Sequence, residues 1–222
     1  MLKEPNKILS SESKYFHFEL ILLSLLSILN EIYNGNSEIS LIINTRGFQN
    51  ILNDFFYIEP SDIIVNGISM KDYCGKQCNL SDNYNNVTLI FEEQIDSCEN
   101  MFEDLTNIIE IDFSKFDFSK ITNMKSMFKG CTSLEKVNFG DADTSSVESM
   151  EELFYECKNL KSIDLAKFNT SKVTTLRRLF SSCESIKSID LSNFDTSKVE
   201  NMFDIFAYCY QLISVNLSSF DT

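Results

Sequence analysis

The sequence predicts an α/β solenoid: a right-handed stack of strand–turn–short helix units with a parallel sheet on one side, plus an N-terminal cap. Two observations predict it. A phrase recurs through residues 95–222 with a strict period of 26. Within each copy the apolar spacing switches from that of a strand to that of a helix, across a short polar turn. The chain of 222 residues has room for such a stack and for the cap over 31–94.

Counted from a Met-Phe or Leu-Phe pair, units begin at Met101, Met127, Leu153, Leu179 and Ile205, without insertion or deletion. The second slot is Phe102, Phe128, Phe154, Phe180 and Phe206. The fifth is Leu105, then Cys131, Cys157, Cys183 and Cys209, and the eighth is Ile108, Leu134, Leu160, Ile186 and Leu212. Slots eleven and thirteen pair Ile111 with Phe113, Val137 with Phe139, Ile163 with Leu165, Ile189 with Leu191, and Val215 with Leu217. The sixteenth runs Phe116, Ala142, Phe168, Phe194, Phe220.

Each copy then divides in two. The stretch Ile186–Ser192 alternates apolar and polar residues, the mark of a short strand. Val199, Met202, Ile205, Phe206 and Cys209 trace one face of a helix. Asp195-Thr196-Ser197 lies between them, and such short polar side chains satisfy the free N–H groups of a helix start. Ser145 with Glu148, and Ser197 with Glu200, read as capping boxes. One copy cannot fold alone. Burial contributes roughly 1.5–3 kcal/mol per large apolar side chain, against about 1.5 kcal/mol to order every residue. The copies must stack.

The phrase also carries a resemblance. "LKSIDLAKFNTSKVTTLRRLFSSC", Leu160 to Cys183, and its neighbours resemble the repeats of the BspA-like leucine-rich-repeat surface proteins. The resemblance covers 95–222 and implies a leucine-rich-repeat-like stack in an extracellular or cell-surface protein used for adhesion or partner binding. The general leucine-rich pattern places Asn where this chain has Phe168, Phe194 and Phe220. With no Asn ladder, the neighbouring Asp, Thr and Ser are expected to bond that turn.

Residues 31–94 lack the period. Ser37–Thr45 and Ser61–Ser69 read as strands, with Asn66-Gly67 a tight turn, and Asn86–Phe91 reads as the first strand of the stack. Ile95 and Cys98 stand one period before Ile121 and Met124, so a degenerate first coil begins there. Before the cap, Phe16–Leu29 is the most hydrophobic run, too short for the roughly 20 residues of a membrane span. Preceded by Lys3, Lys7 and Lys14, residues 1–30 read as a signal peptide or as a hydrophobic N-terminal helix capping the stack. An end in mid-unit at Thr222 would expose Leu212, Val215 and Leu217, so the expectation is either further repeats or an anchor beyond 222, or pairing of this end with another copy.

Composition excludes several functions. With 33 acidic against 19 basic residues and a net charge of −14, the chain is unsuited to nucleic acid or to anionic membrane surfaces. Its one histidine, His17, lies in the hydrophobic run, which removes Ser-His and Cys-His nucleophile pairs from a processed protein. Six glycines offer no phosphate loop. Cys131, Cys157, Cys183 and Cys209 recur too far apart for a metal site and read as small buried hydrophobes. Cys74 and Cys78, in "CGKQC", read as a local disulfide, with a redox or metal pair as the alternative. Sequons at Asn79, Asn86, Asn169 and Asn216 are compatible with export.

One column carries candidate chemistry: Asp112, Asn138, Asp164, Asp190 and Asn216 at slot twelve, between two inward residues and so facing outward. It is expected to form part of a binding face. As an alternative, Asp112, Asp164 and Asp190 would hold a cation or act as acid and base on a glycan. The expectation is a non-enzymatic secreted or surface protein that binds a protein or surface glycoconjugate, with no cofactor and no membrane insertion of the repeats. The alternative is a cytoplasmic leucine-rich-repeat adaptor with free thiols at Cys74 and Cys78.

Overall fold

The computed structural model describes residues 36–220, and the elements below belong to one compact unit, Ser37–Thr222. The segment Phe16–Leu29, with its signal or capping-helix reading and His17, lies outside the described residues. Ten strands follow in order: β1 (Ser37–Ile43), β2 (Gly47–Asn50), β3 (Asp62–Val65), β4 (Ile68–Ser69), β5 (Gln77–Leu80), β6 (Asn85–Phe91), β7 (Ile108–Lys115), β8 (Lys136–Asn138), β9 (Ser188–Asp190) and β10 (Ser214–Asn216).

A mixed sheet of six strands runs in the order β4-β3-β6-β1-β7-β8. Alternation builds it: Ile39, Leu41 and Ile43 of β1 and Val87, Leu89 and Phe91 of β6 all point into the core. Asn66 (φ 50°) and Gly67 (φ 84°) close the β3–β4 hairpin in the left-handed conformation that such a turn demands. The strand over Asn86–Phe91 does not begin a parallel stack. It is β6, antiparallel to both β3 and β1, and β1 in turn lies antiparallel against β7, with Leu41 opposite Ile111. Within this sheet, pairing turns parallel only between β7 and β8.

The predicted α/β solenoid is overturned. Among the described residues there is no helix, and the sheets are small: β9 pairs β10 in a separate parallel ribbon, β2 pairs β5, and residues 161–165 form no strand between β8 and β9. Where a helix was expected, the backbone makes a series of tight turns. Residues in left-handed conformation recur at two slots of the period: Asn100, Ser126, Glu152, Arg178 and Asp204, and again at Asp104, Gly130, Glu156, Ser182 and Tyr208. A helix cannot pass through such residues. The Ser-to-Glu capping boxes therefore have no helix to cap; the Glu148 and Glu200 N–H groups donate instead to Thr122 and Thr174 carbonyls one unit back.

Hydrogen bonding explains why this path wins. Alternate N–H groups donate within the turn, as Glu103 to Asn100 and Leu105 to Phe102. The others reach the next unit: Phe102 donates to Met127, Phe128 to Leu153, Phe154 to Leu179 and Phe180 to Ile205, at 2.9–3.0 Å. A helix would spend every N–H on its own carbonyls four residues back. The turns keep half of them to join successive units, and single bridges Ser97–Asn123–Ser149–Thr175–Asn201 extend the same ladder. A helix spacing of buried residues is preserved: Cys98, Met101, Phe102 and Leu105 are all in the core. The apolar pattern therefore fits either backbone.

The two backbones respond oppositely to glycine. Ser182 has φ 62° and occupies the slot held one pair of units earlier by Gly130. Ser182→Gly is expected to stabilise the chain by about 0.5–1 kcal/mol, because relief of a left-handed residue is worth about 1–2 kcal/mol and glycine's freedom when unfolded takes back about 0.4–1 kcal/mol. In a helix the same change would cost about 0.5 kcal/mol. The sign of the shift in urea midpoint decides.

Side chains of equivalent slots lie over one another. Phe102, Phe128, Phe154, Phe180 and Phe206 form a near-parallel ring column with centroids 5.3–6.2 Å apart. Beside it, the Cys131, Cys157, Cys183 and Cys209 thiols are free and donate to the carbonyls of Phe102, Phe128, Phe154 and Phe180, one unit earlier, at 2.9–3.1 Å. Burial pushes these thiols up, away from the thiolate that nucleophiles and metal ligands require. Cys131, Cys157 and Cys183 are core residues, Cys209 is partly buried against the core, and each makes one directional bond.

Candidate functional site on the sheet face

The slot-twelve column faces outward, but each member first serves its own turn. Asp112 Oδ1 accepts the Ser114 N–H at 2.7 Å, Asn138 that of Gly140, Asp164 that of Ala166, Asp190 that of Ser192 and Asn216 that of Ser218. This is the local turn that Asp and Asn make with backbone two residues ahead. The hydrogen bonds have an electrostatic consequence. Partial burial pulls the Asp112 carboxyl upward, yet bonding from Ser114 and Asn138, with Lys136 nearby, leaves it below the usual range. Bonding to Ser192 does the same for Asp190, where Asn216 adds to it. A proton-donating acid needs the opposite shift. No group of three His, Cys, Asp or Glu converges on a point among the described residues.

The next turn holds the units together. Thr144 Oγ1 accepts the Asn169 N–H at 2.8 Å and donates to the Asn169 carbonyl; Thr170 treats Asp195 in the same way. Asp143, Asn169 and Asp195 each accept the N–H of the serine two residues on. A buried threonine ladder thus stands two residues beyond Ala142 and Phe168. Ion pairs repeat the period on the surface: Glu110–Lys136, Glu135–Lys161, Asp141–Lys167 and Lys158–Glu184. Exposed pairs of this kind add little stability, but like charges in a slipped register would repel.

Two adjoining depressions mark this face. The first, of about 220 Å³, is lined by Ser40, Ile42, Glu110, Ile111, Asp112, Lys136 and Asn138. It lies across β1, β7 and β8, so the non-repeating region supplies one wall. The second, of about 150 Å³, is lined by Val137, Asn138, Phe139, Gly140, Ala142, Asp164, Lys167 and Phe168. Asn138 belongs to both. Of the expected column, Asp112 and Asn138 therefore line the first depression, and Asn138 and Asp164 the second. Asp190 and Asn216 lie on the separate β9–β10 ribbon. Sequence reading missed Ser40 and Ile42, whose strand carries no period, and the flanking Glu110, Lys136 and Lys167.

The second depression has a local cause. Slot sixteen holds Phe116, Phe168, Phe194 and Phe220 in the other units but Ala142 here. Gly140 cannot fill the space either: a Cβ there would lie 2.9 Å from the Ser114 Cα, and its φ is 58°. Phe168 leans edge-on against Phe139 with centroids 4.8 Å apart, and the remaining gap opens to solvent. Away from these depressions, Cys74 and Cys78 are joined in a disulfide.

The family model described as "Mycoplasma protein of unknown function, DUF285" matches residues 96–220. No curated protein and no solved structure matches the chain.

Proposed function

The chain belongs to the DUF285 family through its repeats, and from that premise we propose a non-enzymatic binding protein, secreted or displayed at the cell surface, whose sheet face engages a protein partner. The observation that carries this reading is the pair of depressions of mixed charge that share Asn138, one of them lined in part by β1 and both by the repeats. These depressions offer a partner a surface of mixed polar and apolar character, the composition of a recognition site. Export is supported by the Cys74–Cys78 bridge, by the sequons, and by the resemblance of the repeat phrase to surface proteins. Against the glycan-cleaving reading, hydrogen bonds from their own turns favour the charged form of Asp112 and Asp190, the opposite of what a proton donor needs.

A photo-crosslinking residue at Asn138, in protein expressed with its own N-terminus, tests this. On intact cells we expect a defined adduct from Asn138 and none from the same residue placed at the exposed Glu148, in the turn region. Protease added to those cells is expected to digest the protein. Equal labelling from both positions, or protection until lysis, contradicts the reading, and protection would favour an intracellular adaptor.

A further inference from the structure

Each joint between units repeats the same backbone bonds. The Phe102 N–H donates to the Met127 carbonyl and the Asp104 N–H to that of Lys129, while the Thr122 N–H donates back to the Asp96 carbonyl. The turn over 96–103 has no repeat before it, yet its corresponding groups are bonded. The Asn53 N–H donates to the Met101 carbonyl, and Asn53 Nδ2 to the Glu103 carbonyl, both at 3.0 Å. Asn53 Oδ1 is turned to its own Phe55 N–H at 2.8 Å, which leaves Nδ2 for the repeat. The Tyr57 hydroxyl accepts the Asp96 N–H at 3.2 Å, where a later unit offers a carbonyl. Residues 53–57 thus replace a preceding unit.

One residue holds this segment. Lys76 Nζ donates to the Asp54 and Phe56 carbonyls at 2.7 and 2.5 Å. Its own carbonyl accepts the Ile51 and Leu52 N–H groups at 2.8 and 3.2 Å. Lys76 lies inside the small ring closed by the Cys74–Cys78 bridge. We propose that residues 53–57 form a redox-sensitive latch: the bridge fixes Lys76, Lys76 fixes the segment, and the segment closes the first edge of the ladder. An unpaired backbone edge is a template for other chains, and the closed latch withholds this one. A dithiol releases it. One thiolate attacks the sulfur of Cys74, the less buried partner, and the S–S bond breaks with its electron pair on Cys78, which takes up a proton. The second thiol then displaces Cys74, so the reductant ends as a disulfide and the chain holds two thiols. The other five cysteines are already free, so a reductant acts on this bridge alone.

Amide hydrogen exchange of the whole protein, bridged and then treated with dithiothreitol, tests the proposal. Reduction is expected to speed exchange at Asn53 and Asp96 by about tenfold or more, while Phe128 and Phe154, bonded between later units, keep their rates. Lys76→Met, which keeps the stem and loses the ammonium, is expected to speed the same two amides with the bridge intact. Lys76→Gln serves the same purpose if the methionine variant does not fold. Unaltered rates at Asn53 and Asp96 after reduction, or in the folded Lys76 variant, overturn the latch. Acceleration of all four amides together on reduction also overturns it, since the bridge would then support the whole fold and not this edge.

Discussion

Phe154→Ala is expected to destabilise the chain by about 3–5 kcal/mol, the usual loss when a fully buried aromatic is truncated. Phe154 is inaccessible to solvent and lies between Phe128 and Phe180, with centroids at 5.3 and 5.4 Å and planes within 13° of parallel. It also meets the edge of Phe139. Its removal strips contacts from rings in both adjoining units, and tight turns bonded to their neighbours on either side cannot close the hole. Phe154→Leu, which keeps most of the volume, should cost less than about 1.5 kcal/mol. Phe203→Ala, at a residue 60% exposed, should stay within about 0.5 kcal/mol. Urea unfolding of the three variants ranks them.

Thr170→Val is expected to cost about 2–3 kcal/mol although the shapes match, because two polar groups lose their partner. Thr170 is 2% exposed, and its hydroxyl both accepts the Asp195 N–H at 2.8 Å and donates to the Asp195 carbonyl at 3.1 Å. Valine would take that partner from both backbone groups of Asp195, which are bonded to it in a partly buried position. Thr170→Ser keeps the hydroxyl and should cost less than about 1 kcal/mol. A loss equal for serine and valine would mean that the methyl group, not the bond between units, is what matters.

These two residues show what could be read in the sequence. The slots of Phe154 and Thr170 follow from the period alone, as do the core positions of the recurring cysteines. The strands over Ser37–Ile43 and the Asn66-Gly67 hairpin followed from alternation and turn chemistry. The helix did not form because burial spacing is a property of side chains. The hydrogen bonds of Phe102 and Phe128 to the next unit belong to the backbone. Asn100, Asp104 and Gly130 were the signal for left-handed turns, diluted by Glu152, Glu156, Arg178 and Tyr208 at the same slots. At the site, the outward column was placed by its slot, whereas its turn-closing role needed the Asp112–Ser114 geometry. The Ala142 gap was visible only as one small residue among phenylalanines.

The central claim is that successive units are joined by backbone hydrogen bonds through tight turns, and scalar coupling across hydrogen bonds in ¹⁵N,¹³C-labelled protein tests it most directly. The Phe128 amide nitrogen is predicted to couple to the Leu153 carbonyl carbon, and Phe154 to that of Leu179. Coupling of Phe128 to the Met124 carbonyl, four residues back as in a helix, would contradict it.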